Sequence, residues 1–145
     1  MGDIKRILVV SRMSKYCRKA VHYGVSISQK YNAKLYVLHV TDPFIVDGTS
    51  LSILAMQEEL KKHTKEAKEE LDELIELEKK KGVSITKLIR EGRPGKEIIK
   101  VIKEKNIDLV VMLAHPEARM EQWIFGRENE EIIRKMPCSI LLVKE

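Results

Sequence analysis

The chain has 145 residues, 43% hydrophobic and 34% charged, proportions that suit one globular domain over residues 1–145 and exclude a disordered segment. No apolar run reaches the ~20 residues of a membrane-spanning helix, and the N-terminus lacks the apolar core of a secretion signal, so a cytoplasmic protein is expected. The net charge of +5 comes from 27 Lys and Arg against 22 Asp and Glu, but the signs alternate along helical stretches and no aromatic residues interleave a basic stripe, which argues against nucleic acid as a partner.

The first strand is expected over residues 4–10, where Ile7-Leu8-Val9-Val10 is apolar enough to be buried on both faces. Ser14 is a good helix N-cap, and the stretch to Tyr31 places Cys17, Ala20, Val21, Gly24, Val25 and Ile27 at helical spacing, with Asn32 ending the helix. A second strand follows over residues 34–40. Pro43 and Gly48 break the loop after it.

A long helix is expected over residues 50–81. Leu60, Thr64, Ala67, Leu71 and Leu74 form one narrow apolar seam along it. A seam of about two heptads falls short of the three or four of a coiled coil, so a helix lying on a sheet is the better reading. Gly82 terminates it. A third strand over residues 83–90, a turn over 91–95 and a short amphipathic helix over 96–105 come next. A fourth strand (109–113), a helix (128–135) and a fifth strand (139–143) close the pattern. Alternation of this kind argues for an α/β fold, a parallel sheet with helices on both faces.

Little conventional chemistry is visible. Cys17 and Cys138 are far apart and form no Cys-x-x-Cys pair, and none of the four histidines stands at ligand spacing from them, so no metal site is expected. Gly95-Lys96 lacks the remainder of a P-loop, because Arg90 and Glu97 stand where Gly and Ser or Thr are needed. His115 and Glu117 would make an acid/base pair, but no nucleophile accompanies them, and no catalytic residue is assigned. Trp123 and Phe125 read as packing aromatics.

The C-terminal third carries the strongest signal. Leu109-Val110-Val111-Met112-Leu113 leads into Ala114-His115-Pro116, then nine residues, then Gly126-Arg127. Together with His39-Val40 closing the second strand and the Glu91-Gly92 turn before Lys96-Glu97-Ile98-Ile99, this layout resembles the universal stress protein family. The resemblance implies a Rossmann-like, five-stranded parallel sheet ordered 3-2-1-4-5. It also implies a ligand crevice where strand order reverses, lined by the residues after Val10, Val40 and Met112. ATP-binding members carry Gly, two residues, Gly, nine residues, then Gly followed by Ser or Thr. Leu113 and Pro116 stand at the first two glycines, Gly126 keeps the third, and Arg127 replaces the hydroxyl residue. Arg12 stands where those members place an Asp that meets the base.

These exchanges matter physically. A guanidinium only donates hydrogen bonds, so Arg12 cannot accept one from an adenine amine or a ribose hydroxyl. Leu113 adds bulk where a phosphate loop needs bare backbone, and Pro116 fixes φ and removes an N–H. Glu128, Glu130 and Glu131 put acids in the opening turn of the last helix, where an anion would otherwise sit. The expectation is a degenerate ATP-binding motif with no resident cofactor, in a dimeric regulatory or protective module of the stress response. The rival is a sensor that takes ATP, another nucleotide or an anion through Arg12, Arg127 and Arg119, unless those arginines pair with the glutamates. The implied strand order also puts Ile140-Leu141-Leu142-Val143 at a sheet edge without the lysines or prolines that normally protect one, so a homodimer across that strand is expected. The protein partner of such a module is not legible.

Overall fold

The computed structural model describes residues 2–11, 17–41, 53–114 and 133–144. Five strands form its centre: β1 (Arg6–Ser11), β2 (Lys34–Thr41), β3 (Ile85–Glu91), β4 (Leu109–Ala114) and β5 (Ser139–Lys144). They pair in parallel in the order β3-β2-β1-β4-β5. Helices described over their length are α1 (Cys17–Tyr31), α2 (Ile53–Lys79) and α3 (Pro94–Lys105); residues 133–135 are also helical, at the end of the helix expected over 128–135, the rest of which lies outside the described residues.

β1 is central because its sequence suits no other place. Ile7, Leu8 and Val9 are completely buried and Val10 nearly so, and each such side chain contributes about 1.5–3 kcal/mol by leaving water. Alternation divides them between two cores. Ile7 and Val9 join α1, through Ala20, Val21 and Val25, and α2, through Leu71 and Ile75. Leu8 and Val10 join α3 through Ile98, Val101 and Ile102. Gly24 lets α1 lie close on β1, since a Cβ there would sit 2.3 Å from Val9 Cγ2.

Over its described side chains α2 buries Leu71, Ile75 and Glu78, with Leu74 half-buried. That stripe of 71, 74, 75 and 78 is broader than a coiled-coil seam and belongs to a helix lying on a sheet. The side chains of Leu60, Thr64 and Ala67 lie outside the described set. Asn32 and Gly82 have positive φ where the helices before them end, as the sequence leads one to expect.

Several boundaries differ from expectation: β1, β2, β4 and β5 each run one residue further, and α2 ends at Lys79 rather than 81. β1 begins at Arg6 rather than Ile4, and β3 runs over Ile85–Glu91 rather than 83–90. The segment read as a turn through Gly95 already contains the first turn of α3. Pro94 takes the opening helical position, where its fixed φ suits the helix and its missing N–H costs nothing. Gly92, at φ +147, makes the bend before it, and a Cβ there would come within 3.0 Å of Glu97 Oε1.

Candidate functional site

β1 is joined to β2 on one side and to β4 on the other, so strand order reverses between β1 and β4. In open parallel sheets this is where ligands settle, beyond the carboxyl ends of the strands. The three ladders around this point are not equal in length. β1 and β2 stay paired through Ser11↔His39, and β4 and β5 through Ala114↔Lys144. The β1–β4 ladder stops at Val9↔Val111. Val10 and Ser11 of β1, and Met112 and Leu113 of β4, follow the last pair of that ladder at the end where the site is expected.

The side chains at this end are mostly apolar. Leu113 is 4% exposed and packs in the core with Val9, Val111 and Val143. Where a phosphate loop would have bare glycine backbone, this chain has a core leucine. Val40 is half-buried against the α3-side core and aligns with Arg90 of β3. Arg12, Pro116, Gly126 and Arg127 lie outside the described residues, as do Arg119, His115, Glu117 and the three glutamates, so of the expected ligand set only Leu113 and Val40 are described, and they pack into the cores on opposite faces of the sheet.

His39 is the site residue whose environment composition alone does not convey. It is 4% exposed, and its Nδ1 lies 3.3 Å from the Ser11 carbonyl oxygen. A carbonyl only accepts, so Nδ1 carries the proton and donates, which leaves Nε2 as an acceptor. Among the described residues, Nε2 is buried without a partner. Burial pushes the imidazole pKa below its ordinary value, opposed in part by the bond to Ser11, and the ring is neutral at pH 7. The sequence signal was a polar residue closing an otherwise apolar strand.

Cys138 is half-buried beside the α3-side core. Burial raises its thiol pKa, and the charge of Asp108 raises it further, against a backbone hydrogen bond at Val110. A thiol held protonated is a poor nucleophile. Among the described residues, no three His, Cys, Asp or Glu side chains group to hold a metal, and no helix is long and apolar enough to cross a membrane.

The model of the Universal stress protein family matches residues 3–144. The chain belongs to the universal stress protein family. It is 28% identical to a universal stress protein of Methanocaldococcus jannaschii, over 97% of this chain and 94% of that one. Among solved structures, the universal stress protein UspA from Lactobacillus plantarum superposes with a TM-score of 0.81 at 21% identity, covering 99% of each chain. A universal stress protein from Archaeoglobus fulgidus, in complex with dAMP, superposes with a TM-score of 0.66 at 16% identity, covering 99% of this chain and all of that one. The universal stress protein sheet order and helical layers of this chain match what its sequence resemblance implies, and family membership supports a role in the stress response.

Proposed function

We propose that this universal stress protein serves the stress response as a homodimeric regulatory or protective module, and that its crevice does not hold ATP in the manner of the glycine-loop members. The observation that carries the reading is Leu113. Its side chain is built into the core at the first glycine position, so the backbone there is not free for close approach by a phosphate. Arg12, Pro116 and Arg127 change the other motif positions in the same direction, removing an acceptor, an N–H and a hydroxyl. Isothermal titration with ATP tests it. The expected result is no saturable heat at millimolar ATP, and a low-micromolar Kd with fixed stoichiometry would overturn the reading. Pro116→Gly alone is expected to leave the result unchanged, because loop shape and counter-charge must be repaired together.

The rival reading, a sensor for a nucleotide or another anion, draws on one observation of its own. The β1–β4 ladder ends early, at the carboxyl end of the strands where open parallel sheets take ligands, and a universal stress protein of similar fold is in complex with dAMP. The same titration with AMP and with phosphate separates the two.

The dimer is supported by β5. Its run Ile140-Leu141-Leu142-Val143 lies at a sheet edge, and Leu142 is 49% exposed. An apolar edge satisfies its backbone groups by pairing with a second copy across a two-fold axis.

A further inference from the structure

The fold gathers positive charge at one end, and sequence order hides it. The strands all start at the end of the molecule where α1, α2 and α3 finish. That end comprises residues 2–6, 28–34, 76–84, 103–109 and 134–138. These segments hold eleven Lys and Arg against five Asp and Glu, out of 27 against 22 in the chain. The remainder therefore has sixteen against seventeen and is close to neutral. The whole formal excess of +5, and one charge more, sits at the amino-terminal end of the sheet.

Three of the five acids there are already engaged. Asp108 Oδ2 accepts the backbone N–H groups of Lys5 and Arg6 at 2.9 and 2.8 Å. Glu78 is buried and lies 3.1 Å from Lys81 Nζ. Glu104 meets Arg90 at 3.1 Å. The negative ends of three helix dipoles, about half a charge each, offset only part of the excess. Lys5, Arg6, Lys30 and Lys34 are exposed, and Lys34 is steadied by the Tyr36 ring, 5.2 Å from its Nζ.

Tyr31 is the second, independent observation. It ends α1 at 57% exposure, the most exposed large hydrophobic side chain among the described residues, and sits between Lys30 and Lys34 in the chain. Tyrosine rings are normally drawn to packed surface; one held out among lysines is a platform for a flat, anionic partner. Lys5 and Arg6 at the start of β1 and Lys34 at the start of β2, with Lys30, Lys79, Lys80, Lys103 and Lys105 at helix ends, are dispersed point charges that suit a phosphate backbone rather than a single bidentate group. The exposed Tyr31 ring favours a single strand, whose bases are free to stack.

We propose that the amino-terminal end of the sheet is a sequence-tolerant binding surface for single-stranded nucleic acid, with lysines tracking the phosphates and Tyr31 stacking on a base. The expectation against nucleic acid came from charge alternation along the helices and from the lack of aromatics interleaved with a basic stripe, both local patterns; the excess appears only when five segment ends are brought together.

The test is fluorescence anisotropy of a labelled 12-nucleotide oligouridine with the whole protein. The expected Kd is on the order of 10–100 µM at 50 mM salt, weakening steeply by 150 mM, as counterion release requires. The triple variant Lys5→Glu, Lys34→Glu and Lys80→Glu should weaken binding at least about tenfold and flatten the salt dependence, by about 0.7 in log–log slope for each phosphate no longer neutralised. A control of equal charge change on exposed lysines away from that end, Lys62→Glu, Lys65→Glu and Lys96→Glu, should cost far less. Tyr31→Ala should weaken binding several-fold at an unchanged slope, since stacking releases no counterions. Absence of binding at 50 mM salt would overturn the proposal. So would a control triple as damaging as the first, an ineffective Tyr31→Ala, or oligoglutamate bound as tightly as the oligonucleotide.

Discussion

β3 and β5 each have one neighbour in the sheet, at its two opposite edges, yet their side chains meet the surroundings differently. β3 is clamped by ion pairs to both layers. Lys87 pairs with Asp72 of α2 on one face, and Arg90 pairs with Glu104 of α3 on the other. Charged residues within an edge strand discourage the approach of another strand, because their desolvation would cost more than new backbone hydrogen bonds return. β5 carries four consecutive apolar residues instead. Val143 is committed to its own core at 3% exposure, Ile140 and Leu141 are half-buried, and Leu142 is turned out. One edge strand thus carries charge within its length, while the other carries it only at its last residue, Lys144.

The comparison can be broken first at β5, where the largest effects lie. Val143→Asp buries an unpaired carboxylate and should cost about 3 kcal/mol or more of fold stability, read as a large drop in the denaturant midpoint. Leu142→Asp changes a half-exposed side chain and should leave the fold nearly as stable while converting dimer to monomer at tens of micromolar. Light scattering checks it. A wild-type mass near one 16.8 kDa chain would remove the dimer altogether, and an unaltered dimer in Leu142→Asp would move the interface away from β5.

Acid should act on the β3 side of the sheet. The folded chain keeps His39 neutral with a pKa below the unfolded value, so below about pH 6.5 the unfolded chain binds a proton that the folded chain refuses. This contribution to stability is complete above that pH. It declines as pH falls toward the folded pKa and is constant below it. Because His39 aligns with Ser11 on one side and Ile89 of β3 on the other, backbone amides of β2 and β3 should lose hydrogen-exchange protection on acidification before those of β5. His39→Gln should remove that difference; uniform loss across the sheet would count against the assignment.

The smallest effect should come from the β3 clamps. Lys87→Ala and Arg90→Ala break partly exposed pairs, worth up to about 1 kcal/mol each, and high salt should mask most of it. Their sharper consequence would be association. With both charges removed, β3 becomes a second unguarded edge, and species larger than a dimer should appear in light scattering.

Much of this architecture was legible from local pattern. The Ile7–Val10 run announces a strand buried on both faces, and Asn32 and Gly82 mark helix ends through their tolerance of positive φ. Strand order was not local information; it came from the resemblance, and the pairing agrees with it. The start of α3 was misread because Glu-Gly-Arg-Pro-Gly favours a turn and a proline-led helix equally. The early end of the β1–β4 ladder and the isolation of His39 Nε2 depend on how separate strands meet, which no single segment reveals. Of the expected crevice residues, Leu113 and Val40 could be placed, whereas Arg12, Pro116, Gly126 and Arg127 lie outside the described residues.

The Asp108 carboxylate that accepts from Lys5 and Arg6 spans 103 and 102 positions of chain, and this has a consequence during synthesis. β1 emerges from the ribosome early and finds β2 within a few dozen residues, but its other partner, β4, arrives about a hundred residues later. At roughly 5–20 residues per second, this strongly apolar strand waits on the order of 5–20 seconds with one flank unpaired. During that interval the nascent chain presents the kind of surface that chaperones retain, and Asp108 is the residue whose arrival begins to close it.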